Sequence, residues 1–128
     1  MNDIKTGEIG ELIAVRFLRD KGYKILDGNY RSGFGEIDII AENGKFIVFV
    51  EVKARAENTL ISPSEFVTVK KREKIISTSM QYLQKFPTKK QPRYDVIEIL
   101  TDKPSSFTVK NIKHIENAFE AEGRYATL

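Results

Sequence analysis

"GEIDIIAENGKFIVFVEVKAR", Gly35 to Arg55, decides how this chain folds. Most of it has the alternation and β-branched content of buried strands, and Asn43-Gly44 in its middle is a strong hairpin turn pair. Glu36, Asp38, Glu51 and Lys53 interrupt the apolar pattern. Strand alternation sorts them by face. In the second strand of the hairpin Glu51, Lys53 and Arg55 share one face, and Val48, Val50, Val52 and Ala54 the other. In the first, Glu36, Asp38 and Ile40 lie opposite Ile37, Ile39 and Ala41. A hairpin symmetric about Asn43-Gly44 pairs Glu42 with Lys45 and Ala41 with Phe46. It sets Asp38 against Phe49 and Glu36 against Glu51. Asp38 and Glu51 become diagonal neighbours, roughly 7–8 Å apart at the backbone and within reach of a shared cation. A loop one residue longer or shorter would turn Asp38 to the other face.

Two carboxylates that close repel each other unless something positive lies between them. Lys53, on the Glu51 face, can neutralise the pair or hold a water and a phosphate oxygen. Two acids, a lysine and a magnesium-type ion are enough to hydrolyse a phosphodiester, with the metal as Lewis acid and activator of water. The carbonyl of Val52 could supply a further oxygen ligand. The competing account is a solvated sheet face with ordinary Glu–Lys neighbours. Glu11 weighs against it. Ala14, Val15 and Leu18 follow Glu11 by three, four and seven residues, which places this carboxylate on or beside the inward stripe of a helix. An acid there needs a partner, and Lys53 or a bound metal would serve.

The rest of the chain bounds what such a site can be. Its 128 residues suit one domain with a single core, and 41% hydrophobic against 30% charged residues is the balance of a soluble globule. No apolar run is long enough to span a membrane, the N-terminus lacks a signal-peptide pattern, and the expected compartment is the cytoplasm. With no cysteine and the single histidine His114, thiolate and histidine-rich metal sites are excluded, leaving hard, oxygen-bound ions. The net charge of +3 is modest. Between Lys70 and Arg93, however, Lys70, Lys71, Arg72, Lys74, Lys85, Lys89, Lys90 and Arg93 face Glu73 alone. That suits a polyanion, or equally a solvated helix face and loop.

Helical spacing of Ile9, Leu12, Ile13, Phe17 and Leu18 predicts a first helix from about Thr6 to Asp20, closed by Gly22. "YKILDGNYR" is a strand, irregular at Asp27-Gly28, and "ISPSE" is a loop. A second helix starts between Glu65 and Val69 and runs to about Phe86, with Val69, Ile76, Met80 and Leu83 as its apolar stripe. "YDVIEIL" and "SFTVKNI" are further strands and "IENAFEA" a short terminal helix. The predicted order is α-β-β-β-α-β-β-α, an α/β domain with a mixed β-sheet flanked by helices.

"GEIDII…FVEVKAR" resembles the hallmark of the PD-(D/E)XK nuclease superfamily, with Asp38 as the first acid and Glu51-Val52-Lys53 as E-x-K. More closely, the chain resembles the YraN family of endonuclease-like proteins. "TGEIGELIAVRFLRDKGYKIL", "NYRSGFGEIDIIA", "VFVEVKAR", "VTVKKREKI", "RYDVIEI" and "IKHIENAF" match it in order along nearly the whole chain. Ile37 stands where the superfamily name has proline. The resemblance implies a restriction-endonuclease-like three-layer core, close to Holliday-junction resolvases, with Glu11, Asp38, Glu51 and Lys53 at the active-site positions. It also implies a basic position at Lys71.

Together these observations predict a Mg²⁺- or Mn²⁺-dependent endonuclease acting on DNA, branched or otherwise structured. Asp38, Glu51 and the Val52 carbonyl would bind the metal, and Lys53 and Glu11 would complete the site. Arg55, Lys70, Lys71 and Lys74 would hold the phosphate backbone. The alternative is a non-catalytic nucleic-acid- or partner-binding domain whose acids are held by Lys53 and Arg55. A third reading confines activity to a complex or a homodimer. His114 is expected to be an ordinary histidine, Asp95 to pair with Arg93 or a helix lysine, and Tyr30 and Phe34 to be packing residues.

Overall fold

In a computed structural model of the protein, residues 6–56, 67–102 and 108–121 are described. The elements are α1 (Thr6–Asp20), β1 (Lys24–Arg31), β2 (Glu36–Asn43), β3 (Phe46–Ala56), α2 (Val69–Lys85), β4 (Gln91–Thr101) and β5 (Val109–Phe119). They form one five-stranded sheet in the order β1-β2-β3-β4-β5, antiparallel except where β3 runs parallel to β4. A parallel pair needs a long crossover, and α2 lies within it. Each helix covers one face, so the predicted three-layer α/β core is present. No helix among the described residues is long and apolar enough to cross a membrane.

α1 presents Gly10, Ala14 and Leu18 at four-residue spacing to Ile39, Ala41, Val48, Val50, Ile97 and Ile99. A Cβ on Gly10 would touch Ala54, Ile99 and Val52 at 3.8–3.9 Å, so this end of the helix lies close on the sheet. Gly22, at φ +93°, ends α1 in a Schellman motif: its N–H donates to the Arg19 carbonyl, and the Tyr23 N–H to that of Leu18. On the other face, the Thr68 hydroxyl caps α2 by accepting from the Lys71 N–H. Ile75, Ile76 and Tyr82 then pack on Ile40, Ile47, Phe49, Tyr94 and Val96. Each such covered side chain contributes roughly 1.5–3 kcal/mol, so these two cores hold the layers together.

Several expectations need correction. Leu12 and Val69 are each 66% exposed and belong to neither stripe. The β2–β3 turn is Gly44-Lys45, with Asn43 paired to Phe46, one residue later than expected. Gly44 accommodates it at φ +58°. Strict alternation in β2 also fails: Ile37 joins the α2-side core while Ile39 and Ala41 join the α1-side core. The β2–β3 pairing ends at Ile39–Val50, which frees β2 to twist there.

"IENAFEA" is not a helix; its first residues continue β5 to Phe119. The Asn117 N–H donates to Asp95, and the Phe119 ring stacks on Tyr94 at 5.3 Å. These long-range contacts override the local helical pattern. The irregularity expected in β1 is present as a register shift between Ile25 and Asp27, with Asn29 at φ 53°. The loop "ISPSE" lies outside the described residues.

Candidate active site

The end of the β2–β3 pairing makes the site. Continued one step beyond Ile39–Val50, the register would set Asp38 directly opposite Glu51. Instead of a backbone carbonyl, the Asp38 side chain takes the next donor, with the Val52 N–H giving a 2.8 Å hydrogen bond to Oδ2. The N–H and C=O of one strand residue point to the same side, so the Val52 carbonyl also faces the gap toward β2. Asp38, Glu51 and Val52 are thus brought together at one break in the sheet.

Glu51 is only 6% exposed. Two ammonium groups reach its Oε2: Lys53 Nζ at 3.8 Å, and Lys71 Nζ, from the first turn of α2, closer still. Lys71 was expected as a phosphate contact; here it is first a partner of Glu51. Nothing in the sequence fixed the rotation of α2 that brings it there. Lys70 and Lys74 flank it on the exposed side of the same helix.

The electrostatics are uneven. Burial, then the charge of Glu51, and lesser contributions from Glu11 and Glu36 push the Asp38 carboxyl up to about 7, against the pull of the Val52 N–H. Burial and the neighbouring Lys71 lower the Lys53 ammonium, partly offset by Glu51 and Asp38. Burial also acts to lower Lys71, but its hydrogen bond and attraction to Glu51 outweigh that and raise it. The same site thus shifts its two lysines in opposite directions.

Glu11 is half-buried on α1, on the sheet face opposite α2. Its charge is felt at Asp38, but among the described residues it has no ion pair or hydrogen bond. The expected Glu11–Lys53 pair is absent there, since Lys53 turns to Glu51. Arg55 is largely covered: its Nε donates to Glu98 Oε2 at 2.5 Å and Nη1 to the Ala56 carbonyl at 3.5 Å. A guanidinium so committed is a counter-ion to Glu98 rather than a displayed phosphate contact. Glu98, fully buried beside Lys53 in the β3–β4 register, was not singled out from the sequence. The signal was present: "VIEIL" puts one acid inside an apolar strand.

Among the described residues no three His, Asp or Glu side chains converge as a metal cluster. The available donors are two carboxylates and a backbone carbonyl. Magnesium typically takes one or two carboxylates and completes its shell with water and substrate phosphate, so this set fits it.

On the α1 face lies a second charged group. Arg93 donates to both oxygens of Asp95 (2.9 and 2.8 Å) and to the Tyr23 hydroxyl (2.7 Å). His114 Nε2 lies 2.7 Å from Asp95 Oδ2, and Lys21 Nζ lies 2.7 Å from His114 Nδ1. With Lys21 donating to Nδ1, the ring proton sits on Nε2 and goes to Asp95. Burial raises the Asp95 carboxyl, but His114, Arg93 and the Asn117 N–H together bring it below the usual range. The expected Arg93–Asp95 pair is present, and His114 is an ordinary half-buried histidine, as expected, its side chain turned in to Asp95.

Across residues 10–99 the chain matches the model of "Uncharacterised protein family UPF0102", a span that contains Glu11, Asp38, Glu51, Lys53 and Lys71. A UPF0102 protein of Caldanaerobacter subterraneus is 42% identical over 120 residues, covering 93% of this chain and 98% of its own. One from Clostridioides difficile is 45% identical, covering 93% and 100%. One from Alkaliphilus oremlandii is 47% identical over 119 residues, covering 90% and 97%. With the family model matched over most of its length and relatives alike nearly end to end, the chain belongs to the UPF0102 family.

Proposed function

We propose that the Asp38–Glu51 site hydrolyses phosphodiester bonds of DNA with the help of Mg²⁺ or Mn²⁺. The observation that carries this reading is the break between β2 and β3. There a buried carboxylate and a half-buried one face each other, and Asp38, at about 7, is not fully ionised at neutral pH. A divalent cation held by Asp38, Glu51 and the Val52 carbonyl would relieve that repulsion. Bound there, it would supply Lewis acidity to the phosphate and acidify a water. The resemblance of Asp38 and Glu51-Val52-Lys53 to the PD-(D/E)XK pattern supports the same assignment.

The chain's own groups supply the rest. Lys53, whose ammonium is weakened, can orient a water through a hydrogen bond or donate to a phosphate oxygen. Lys71 keeps its charge, and Lys70 and Lys74 extend it outward along α2, where they would hold phosphates without reading sequence. Asp38 and Glu51 against Lys53 and Lys71 sum to zero, so a divalent ion would leave the site positive toward a phosphate. Glu11 adds negative field at Asp38 from the other layer and is a supporting residue. Cutting both strands of a junction would take two such sites, hence a homodimer or a larger complex.

One observation favours a different reading. Lys53 and Lys71 both engage Glu51, which is how a non-catalytic DNA-binding domain would hold its acids. Calorimetric titration of Mg²⁺ and Mn²⁺ into wild type, Asp38→Ala and Glu51→Ala separates the two, combined with cleavage of junction, flap and linear DNA. The nuclease reading expects metal binding and cleavage in wild type and at least about a 100-fold loss of rate in both variants. No metal binding, with all three proteins equally inert, selects the binding domain. Cleavage that survives both substitutions is a contaminant's.

A further inference from the structure

Tyr30 and Phe34, both expected to pack, part ways in the structure. Tyr30 sits edge-on to Tyr82 at 5.1 Å, whereas Phe34, at the tip of the β1–β2 turn, is 52% exposed. A single exposed apolar side chain is common and means nothing by itself. What distinguishes this one is how firmly its backbone is fixed. The Ser32 N–H donates to the Gly35 carbonyl (2.9 Å), and the Phe34 N–H to Ser32 Oγ (3.0 Å). Ser32 Oγ donates in turn to Thr78 Oγ1 of α2 at 3.2 Å, and Thr78 is fully buried. A Cβ on Gly35 would lie 3.4 Å from Lys74 Cβ and 3.5 Å from Thr78 Oγ1, so the turn is pressed against the helix. The ring is held out in water by a stapled turn.

Its surroundings are cationic. Gly35 touches Lys74; Lys74 and Lys71 are three apart on α2, Lys74 and Lys70 four apart, so all three share a helix face. Lys71 in turn reaches Glu51. Phe34 is four residues from Asp38, at most about 13 Å along an extended strand. That is under half of the ~34 Å turn of a DNA duplex. An aromatic face, ammonium groups and the proposed catalytic acids therefore lie within one stretch of nucleic-acid backbone. A protein partner fits less well, since one ring among lysines is far smaller than the apolar patch such an interface uses.

We propose that Phe34 is a stacking platform for an unpaired nucleobase beside the proposed cleavage site, so that single-stranded or branched DNA is bound in preference to continuous duplex. This rests on the nuclease reading and narrows its substrate. Bases inside a duplex have both faces covered by their neighbours; a base at a gap, flap or branch offers one to an aromatic ring. The lysines would hold the flanking phosphates, which all DNA shares, and the ring would supply the discrimination.

The chain has no tryptophan, so Phe34→Trp installs a single fluorescent reporter at the proposed platform. In an Asp38→Asn background, which prevents cleavage, an oligo-dT strand, a flap and a blunt duplex are titrated in turn. Saturable quenching by oligo-dT and flap, but not by duplex, is the expected result. By fluorescence anisotropy with labelled DNA, Phe34→Ala should weaken single-strand and flap binding by about 5- to 100-fold. Duplex binding should change less than about two-fold, because ammonium–phosphate contacts carry it, and Phe34→Tyr should restore the difference. Saturable oligo-dT binding with unchanged tryptophan emission would overturn the platform and leave the nuclease reading standing. An equal loss for single strand and duplex in Phe34→Ala would also overturn it, as a structural effect. If none of the DNAs binds wild type or any variant, platform and nuclease reading fall together.

Discussion

Asp95 and Asp38 are two acids set into one sheet, and their surroundings drive them in opposite directions. Asp95, on the α1 face, is fully buried, yet its carboxyl is held below the usual range because Arg93, His114 and the Asn117 N–H all donate to it. Asp38, at the β2–β3 break, has among the described residues the single donor Val52, with the negative charge of Glu51 nearby, and is driven up to about 7. Burial penalises both. The count of donors and the sign of the neighbours decide the outcome. Asp95 is saturated by groups of its own chain, so its network stabilises the junction of α1, β4 and β5. Asp38, with Lys53 and Lys71 turned chiefly to Glu51, is left short of donors among the described residues.

The largest difference should appear on breaking the saturated cluster. Asp95→Ala leaves the Arg93 guanidinium, 9% exposed, with the more exposed Glu116 at 3.8 Å in place of its bidentate partner, and removes acceptors from His114 and Asn117. Breaking one side of a buried pair costs about 3–5 kcal/mol, a large share of the stability of a domain this size. Urea denaturation should show the midpoint falling accordingly. A loss below about 1 kcal/mol would mean that Asp95 is no more structural than Asp38.

Asp38→Asn should do the reverse. Asparagine keeps an oxygen for the Val52 N–H and removes the charge that burial and Glu51 oppose. The folded-state carboxyl, at about 7, lies above the unfolded value of 3.8. Wild type then holds this contribution fully below about pH 4 and loses it as pH rises through 7. The variant should match wild type at low pH and exceed it by roughly 1–3 kcal/mol above pH 7. Added Mg²⁺ should close or reverse the gap, restoring about 2.7 kcal/mol to wild type at 100 times its dissociation constant and nothing to the variant. Equal stability of the two proteins across pH, with and without Mg²⁺, would erase the contrast between the clusters.

How much of this the sequence could tell follows from which links are local. The convergence of Asp38, Glu51 and Lys53 was legible because a two-residue turn shifted by one position keeps the facing parity of the hairpin, although β2 breaks its alternation between Ile37 and Ile39. Moving it from Asn43-Gly44 to Gly44-Lys45 changes the partner of Asp38 but not its face. A mixed sheet flanked by helices was legible from helical and strand periods, and the three layers from the family resemblance. The Glu98 partner of Arg55 was not legible because it depends on the parallel β3–β4 register, which brings Glu98 alongside and which no local pattern encodes. β5 was partly misread as helix because Asp95 and Tyr94, more than twenty residues earlier, decide its course. The hold of Lys71 on Glu51 depends on how α2 rotates against the sheet, again a tertiary matter.

Lys71 is where the smallest and most informative change is expected. Its ammonium engages Glu51, a carboxylate proposed to hold the metal, and it is the lysine of the pair whose charge the site reinforces. In Lys71→Ala, Glu51 keeps, among the described residues, Lys53 at 3.8 Å. Removing a competing cation from a half-exposed pair is worth roughly 0.5–1 kcal/mol, so Mg²⁺ should bind about 2- to 5-fold more tightly by calorimetry. DNA binding should move the other way, weakening by a similar factor with a salt slope shallower by about one unit, since one ammonium–phosphate contact is gone. Opposite shifts mark a lysine that hands Glu51 over to a cation and turns to the phosphate. If metal and DNA affinity fall together, Lys71 holds the site's shape instead, and the Asp38–Glu51 cluster is closer in kind to the Asp95 network than its charges suggest.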